Sequence, residues 1–243
     1  MKISNQNMKF YITENYILTS FCIPKDTTVL VFTWQFNKPI HPGIIPESVT
    51  HIEFGKYFDK PILVNTIPKS VTHITFGDCF NSLIQPGALP ELLTHINLGA
   101  NFNQTIYPGL LPESVTHVTL GIMFYQSILP KSIPASVTHI VILSLNKPIQ
   151  SGVFPESLTH LYLPILPKVV NCLDYLPQES INLLLYCPCL DIDYVSPHNQ
   201  NMRKLCHHLH TYWIKRAVCI TLPSSCKCSD IKRIVCGFLD LCV

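Results

Sequence analysis

Apolar and polar positions alternate in short bursts along most of the chain. In His51-Ile52-Glu53-Phe54 the apolar Ile52 and Phe54 point one way and His51 and Glu53 the other. That two-residue period is the mark of a short, half-buried β-strand. Equivalent bursts begin at His73, His95, His117, His139 and His160. Between them runs a stretch of the form Phe-Asn-x-Pro-Ile-x-Pro-Gly-x-Leu-Pro. Prolines remove backbone donors and bias the preceding residue toward extended conformations, so these stretches are not helical. Pro42-Gly43, Pro86-Gly87 and Pro108-Gly109 are turn dipeptides. The pattern predicts short strands joined by extended chain and tight turns.

The bursts are strictly periodic. Pro24, Pro46, Pro68, Pro90, Pro112, Pro134, Pro155 and Pro177 are separated by 22 residues at every step except one of 21. The histidines keep the same spacing, as do Thr50, Thr72, Thr94, Thr116, Thr138 and Thr159 just before them, with Thr28 in phase ahead. Phe36, Phe58, Phe80, Phe102, Phe124 and Leu145 make one further column, and Ile40, Ile62, Ile84, Ile106, Ile128 and Ile149 another. Within the unit 36–57 the expected inward side chains are Ile40, Ile45, Val49, Ile52 and Phe54, closed by Phe58 of the next unit. So few cannot offset the entropy of ordering the whole unit, so the unit is stable only when stacked. The fold class expected is a β-rich solenoid of about eight 22-residue coils. Its strands are short and parallel, its return segments are free of helix, and a small α-helical segment follows at the C-terminus. The chain divides into an N-terminal cap with a first partial repeat (1–35), the repeats (36–186) and a Cys-rich basic piece (187–243).

Composition adds exclusions. Of the 243 residues 47% are hydrophobic and only 13% charged, the reverse of a disordered chain. Twenty prolines rule out a helical bundle, and nine glycines rule out collagen. Fifteen of those prolines fall in three repeat columns, so they build a solenoid wall and not a linker. A formal net charge of +2 argues against a dedicated nucleic-acid binder. There is no run of 18 apolar residues and no signal-peptide core near the N-terminus, so no membrane segment is expected. The expected setting is intracellular, the cytoplasm, where cysteines remain thiols.

The unit Phe-Asn-x-Pro-Ile…Pro-x-Ser-Val-Thr-His-Ile-x-Phe-Gly resembles the FNIP repeat of amoebae and of giant viruses that infect them. The resemblance covers roughly residues 22–186. FNIP repeats are similar to leucine-rich repeats, and Val49-x-x-Ile52-x-Phe54 echoes their Leu-x-x-Leu-x-Leu pattern. The asparagines stand in another register here, with Asn37, Asn81, Asn103 and Asn146 following the Phe column. Many relatives carry an N-terminal F-box, which implies substrate recruitment for a ubiquitin ligase. Residues 1–21 are too few for one.

The histidines His51, His73, His95, His117, His139 and His160 are expected in a row on the exposed face of the sheet. A straight row diverges, whereas a metal site needs three or four converging ligands. The row therefore reads as packed repeat residues, whose like charges oppose protonation and hold them below the ordinary value of about 6.5. The threonine column reads as hydroxyls satisfying backbone between coils. Beside the histidines one column varies: Val31, Glu53, Thr75, Asn97, Thr119, Val141, Tyr162 and Leu184. Fixed columns build a scaffold, and a variable column on an exposed sheet is free to fit a partner. Glu53, Thr75, Asn97, Thr119, Val141 and Tyr162, with the six histidines, are the candidate partner-binding residues, and Glu53, Asn97 and Tyr162 come first.

Beyond residue 186 the composition changes. Eight of the 11 cysteines and all three arginines lie there. Met202 to Ala217 and Ile231 to Cys242 carry helical spacing, with Ser229 as a candidate N-cap. Cys206, His207, His210, Cys226 and Cys228 are candidate metal ligands, although Cys-x-Cys is not the usual zinc spacing. The segment offers an alternative function in metal or nucleic-acid binding. No phosphate loop, His-Glu-x-x-His or Gly-x-Ser-x-Gly occurs, so no enzyme, cofactor or small-molecule substrate is expected. The expected partner is another protein.

Overall fold

A computed structural model describes residues 8–15, 22–144, 147 and 149–164, together with the backbone of strands at 182–186 and 217–219. The ten strands, in chain order, are β1 (Lys9–Ile12), β2 (Val29–Phe32), β3 (His51–Glu53), β4 (His73–Thr75) and β5 (His95–Asn97), then β6 (His117–Leu120), β7 (His139–Ile142), β8 (His160–Pro164), β9 (Asn182–Tyr186) and β10 (Ala217–Cys219). They form one sheet in sequence order. The pairs from β1 to β9 are parallel, and β10 runs antiparallel to β9. No helix occurs among the described residues, which make about seven turns of a parallel β-solenoid from β2 to β8.

Register follows the repeat. His51 pairs with His73, Ile52 with Ile74 and Glu53 with Thr75, so every sequence column becomes a line running from coil to coil. The single 21-residue step does not break the line, since His139 still pairs with His160. The inward residues form one continuous core. Phe36, Phe58, Phe80, Phe102 and Phe124 stack with centroids 5.9–6.5 Å apart. A second stack, Phe32, Phe54 and Phe76, runs beside them at 4.9–5.1 Å.

The return segments hold their polar backbone by repeated devices. Asn37 Oδ1 accepts from the Asp59 amide, Asp59 Oδ1 from Asn81, Asn81 Oδ1 from Asn103 and Asn103 Oδ1 from Tyr125, at 2.8–3.0 Å. The asparagine column is therefore a backbone-satisfying ladder, with Asp59 serving as one of its rungs. The predicted turns hold as well. Gly43, Gly87, Gly109 and Gly152 have φ between 75° and 85°, and Asn65 and Lys131 fill the same column at 63° and 65°.

Serines just after the wall prolines donate to a backbone carbonyl of the preceding coil. Ser48, Ser70, Ser114, Ser136 and Ser157 do so at 2.6–2.7 Å. Leu92 interrupts this column and is 59% exposed. Leu92→Ser should supply the missing bond to the Val71 carbonyl and stabilise the fold by about 1 kcal/mol. Urea denaturation checks this, and a loss of stability would show that the leucine contributes more by packing.

The helices expected over 202–217 and 231–242 lie outside the described residues, apart from Ala217. That residue begins β10, so it is strand and not the end of a helix.

Candidate functional site

The outward face of the sheet carries two lines of side chains. The first is the histidine row. His51, His73, His95, His117, His139 and His160 stack ring on ring, with centroids 4.0–4.2 Å apart and planes within 15° of parallel. All six are half-buried. The preceding threonines hold them in place. Each of Thr50, Thr72, Thr94, Thr116, Thr138 and Thr159 places Oγ1 2.8–2.9 Å from Nδ1 of the following ring. The same oxygen lies 3.0–3.3 Å from the threonine carbonyl of the preceding coil. A hydroxyl has one hydrogen to donate. Against an Nε2–H ring it goes to Nδ1; against a charged ring, whose Nδ1–H donates, it turns to the carbonyl. The clamp therefore survives either charge state.

Burial favours the neutral ring at His51, His117, His139 and His160. His117 and His139 are lowered to about 4, first by burial and second by the charges their neighbours would carry. His160 is lowered by burial, and His51 by burial opposed by Glu53. The lowering expected from like charges is present at His117 and His139, but removal from water is the larger cause. The consequence for stability has a definite sign. A histidine held below its unfolded value of about 6.5 leaves the unfolded chain binding more protons, so stability is full above that value and falls as pH drops toward about 4. The melting temperature should fall steeply across that window, and His117→Asn/His139→Asn should flatten the slope. An equally steep slope in the double variant would place the effect elsewhere.

The second line is the variable column, and the structure divides it. Glu53 and Thr75 are exposed, Asn97 and Thr119 are half-buried, and Val141 and Tyr162 are buried at 7% exposure each. The expectation that Val141 and Tyr162 lie open on the face is therefore corrected. These apolar members are removed from water, while the polar members further along the sheet remain at the surface. Asn97 is also partly committed, since its Oδ1 accepts the Gly99 amide at 3.0 Å and closes the turn after β5. Glu53 meets Lys9 of β1 at 3.4 Å, an exposed pair of small energetic weight.

Sequence reasoning missed one surface feature. Trp34 and Tyr57 are exposed, with ring centroids 6.2 Å apart, and Lys56 Nζ lies 5.8 Å from the Tyr57 centroid. The available signal was the column holding Trp34, Lys56, Asp78 and Ala100, which is as variable as the one beside the histidines.

Cys206, His207, His210, Cys226 and Cys228 lie outside the described residues. Among the described residues no group of three or more His, Cys, Asp or Glu is arranged to hold a metal, and Cys22 and Cys79 form no disulfide. Nor is any helix among them long and apolar enough to cross a membrane.

The repeated coil has known counterparts. The FNIP Repeat pattern matches residues 15–57, 36–79, 80–122 and 124–164, well over half of the chain. The chain belongs to the FNIP repeat family. Among solved structures it is similar to the giant-virus protein CroV588, described as a novel circular LRR protein structure. Identity is 31% and the TM-score 0.60, over 73% of this chain and 33% of that one. The FNIP chain thus spans about a third of the length of CroV588. No curated protein matches it. The FNIP repeat accounts for the fixed columns: the asparagine and proline positions make the wall, and the Thr-His pair makes the clamped row.

Proposed function

We propose that this FNIP solenoid is a non-catalytic protein–protein interaction scaffold that meets its partner through the open part of the strand face. A solenoid of this kind is a fold typical of interaction scaffolds. The observation that carries the reading is the contrast between columns. His51, His73, His95 and His117 repeat without change, while Glu53, Thr75, Asn97 and Thr119 beside them differ from coil to coil and reach the surface. The partner is a protein inside the host cell. A role related to the substrate-recruiting subunits of ubiquitin ligases follows from the FNIP resemblance.

The test is affinity capture from host-cell lysate with three purified proteins: the wild type, a face variant Glu53→Arg/Thr75→Arg/Thr119→Arg, and a wall variant Leu63→Arg/Leu83→Arg. Equal melting temperatures establish that all three are folded. A partner held by the wild type and the wall variant but lost from the face variant supports the reading. Retention by the face variant, with loss from the wall variant, would place binding on the return segments.

A further inference from the structure

The histidine row has a property that does not depend on any partner. Its rings face one another at 4.0–4.2 Å along six consecutive coils. Each ring is clamped at Nδ1 by a threonine whose hydroxyl can serve either protonation state. A proton on one ring therefore leaves the coil-to-coil bonding intact and acts mainly through its charge on the ring or rings stacked against it. Coulomb repulsion falls with distance, so charging every second ring halves the repulsion between nearest charges compared with charging neighbours.

We propose that the histidine row is a proton-responsive strip that charges in acid on alternate rungs, turning a neutral sheet face into a line of spaced positive charges while the core stays closed. His73, His117 and His160 form one set of rungs, and His51, His95 and His139 the other. The buried phenylalanine, leucine and isoleucine side chains on the core side of each coil carry no titratable group.

The surroundings favour charge at one end. Glu53 of β3 lies beside His51 and favours its proton, and is itself paired with Lys9 of β1. The flanking column along the rest of the row is Thr75, Asn97, Thr119, Val141 and Tyr162, of which Tyr162 alone has a titratable side chain. In the turns before the strands stand the exposed Glu47, Lys69, Glu91, Glu113 and Glu156, each four residues ahead of its histidine. None of these interrupts the row, so among charged groups it is the rings themselves that set the order of filling. The attraction of Glu53 for a proton on His51 biases the row toward the set His51, His95 and His139.

The test is a proton–carbon NMR titration of the ring Hε1 signals in the full chain from pH 7.5 to about 3, below the values of His117 and His139. Alternate filling predicts two groups of three rings whose midpoints differ by about one pH unit or more. Six superimposable single-proton curves would overturn it. A second measurement removes the neighbours of His117 with His95→Asn/His139→Asn, a side chain that the ninth strand already carries at this position as Asn182. The His117 midpoint should then rise by about one unit, a tenfold gain in proton affinity. A midpoint left in place would assign the lowering to burial alone and overturn the proposal. If the double variant does not fold, the wild-type titration decides by itself.

Discussion

Gly77→Ala is expected to destabilise the solenoid by about 3 kcal/mol or more, the upper end for overpacking. A Cβ at Gly77 would be driven into the Gly55 carbonyl and the Lys56 Cα of the coil before it. Backbone atoms cannot swing aside as a side chain can, so two coils must part. The same collision recurs up the column, where Gly99 faces the Gly77 carbonyl and Gly121 faces that of Gly99. Gly87→Ala is the informative control. It meets open space, but its φ is +75°, so only the left-handed strain of about 1–2 kcal/mol applies. Guanidinium denaturation of the two variants separates close approach from backbone strain. A Gly77→Ala protein no weaker than Gly87→Ala would show that the coils can separate cheaply.

The other large effect is expected at Phe80. This ring is fully buried, 3.9 Å from Phe76 within its own coil, and stacked between Phe58 and Phe102 at 6.2 and 5.9 Å. Phe80→Ala should cost about 3–5 kcal/mol, because the gap opens in the middle of a stack whose other members are fixed by their own coils. Phe80→Leu should cost less than about 1.5 kcal/mol, as leucine already replaces phenylalanine in the parallel core column at Leu98 and Leu120. A deficit below about 1 kcal/mol for Phe80→Ala would mean that the coils collapse around the gap. Gly77 and Phe80 belong to one turn, and the Phe80 amide donates to the Gly77 carbonyl at 3.2 Å. Their effects should not add.

Much of this was legible because one period governs every column. Strand positions, inward residues and the stacked histidines all follow from a 22-residue spacing combined with a two-residue alternation. Departures from residue type were harder to read. Asp59 carries an asparagine's part in the ladder, and Asn65 and Lys131 adopt a conformation that glycine adopts elsewhere in their column. In both cases the column, and not the residue, was the reliable guide. The burial of Val141 and Tyr162 was not legible, since strand alternation assigns a side chain to a face but does not say whether that face is covered. Nor was the reason the Gly55, Gly77, Gly99 and Gly121 column must be glycine, because that contact is between backbones of successive coils. For the histidines, sequence spacing revealed the neighbours but not the depth of burial that dominates their titration.

Uniform register from coil to coil also bears on how such a gene changes. An in-frame duplication or deletion of one repeat's coding length leaves every line of side chains joined, whichever residue it starts from, because position n always meets its counterpart one turn on. Recombination between neighbouring repeats therefore yields longer or shorter proteins that still fold, with the breakpoint free to fall anywhere. The one 21-residue step shows where smaller slips are accepted: the missing residue is absorbed between His139 and His160 while their pairing is kept. Length in this protein can thus drift by whole turns, while the composition of each line is inherited nearly unchanged.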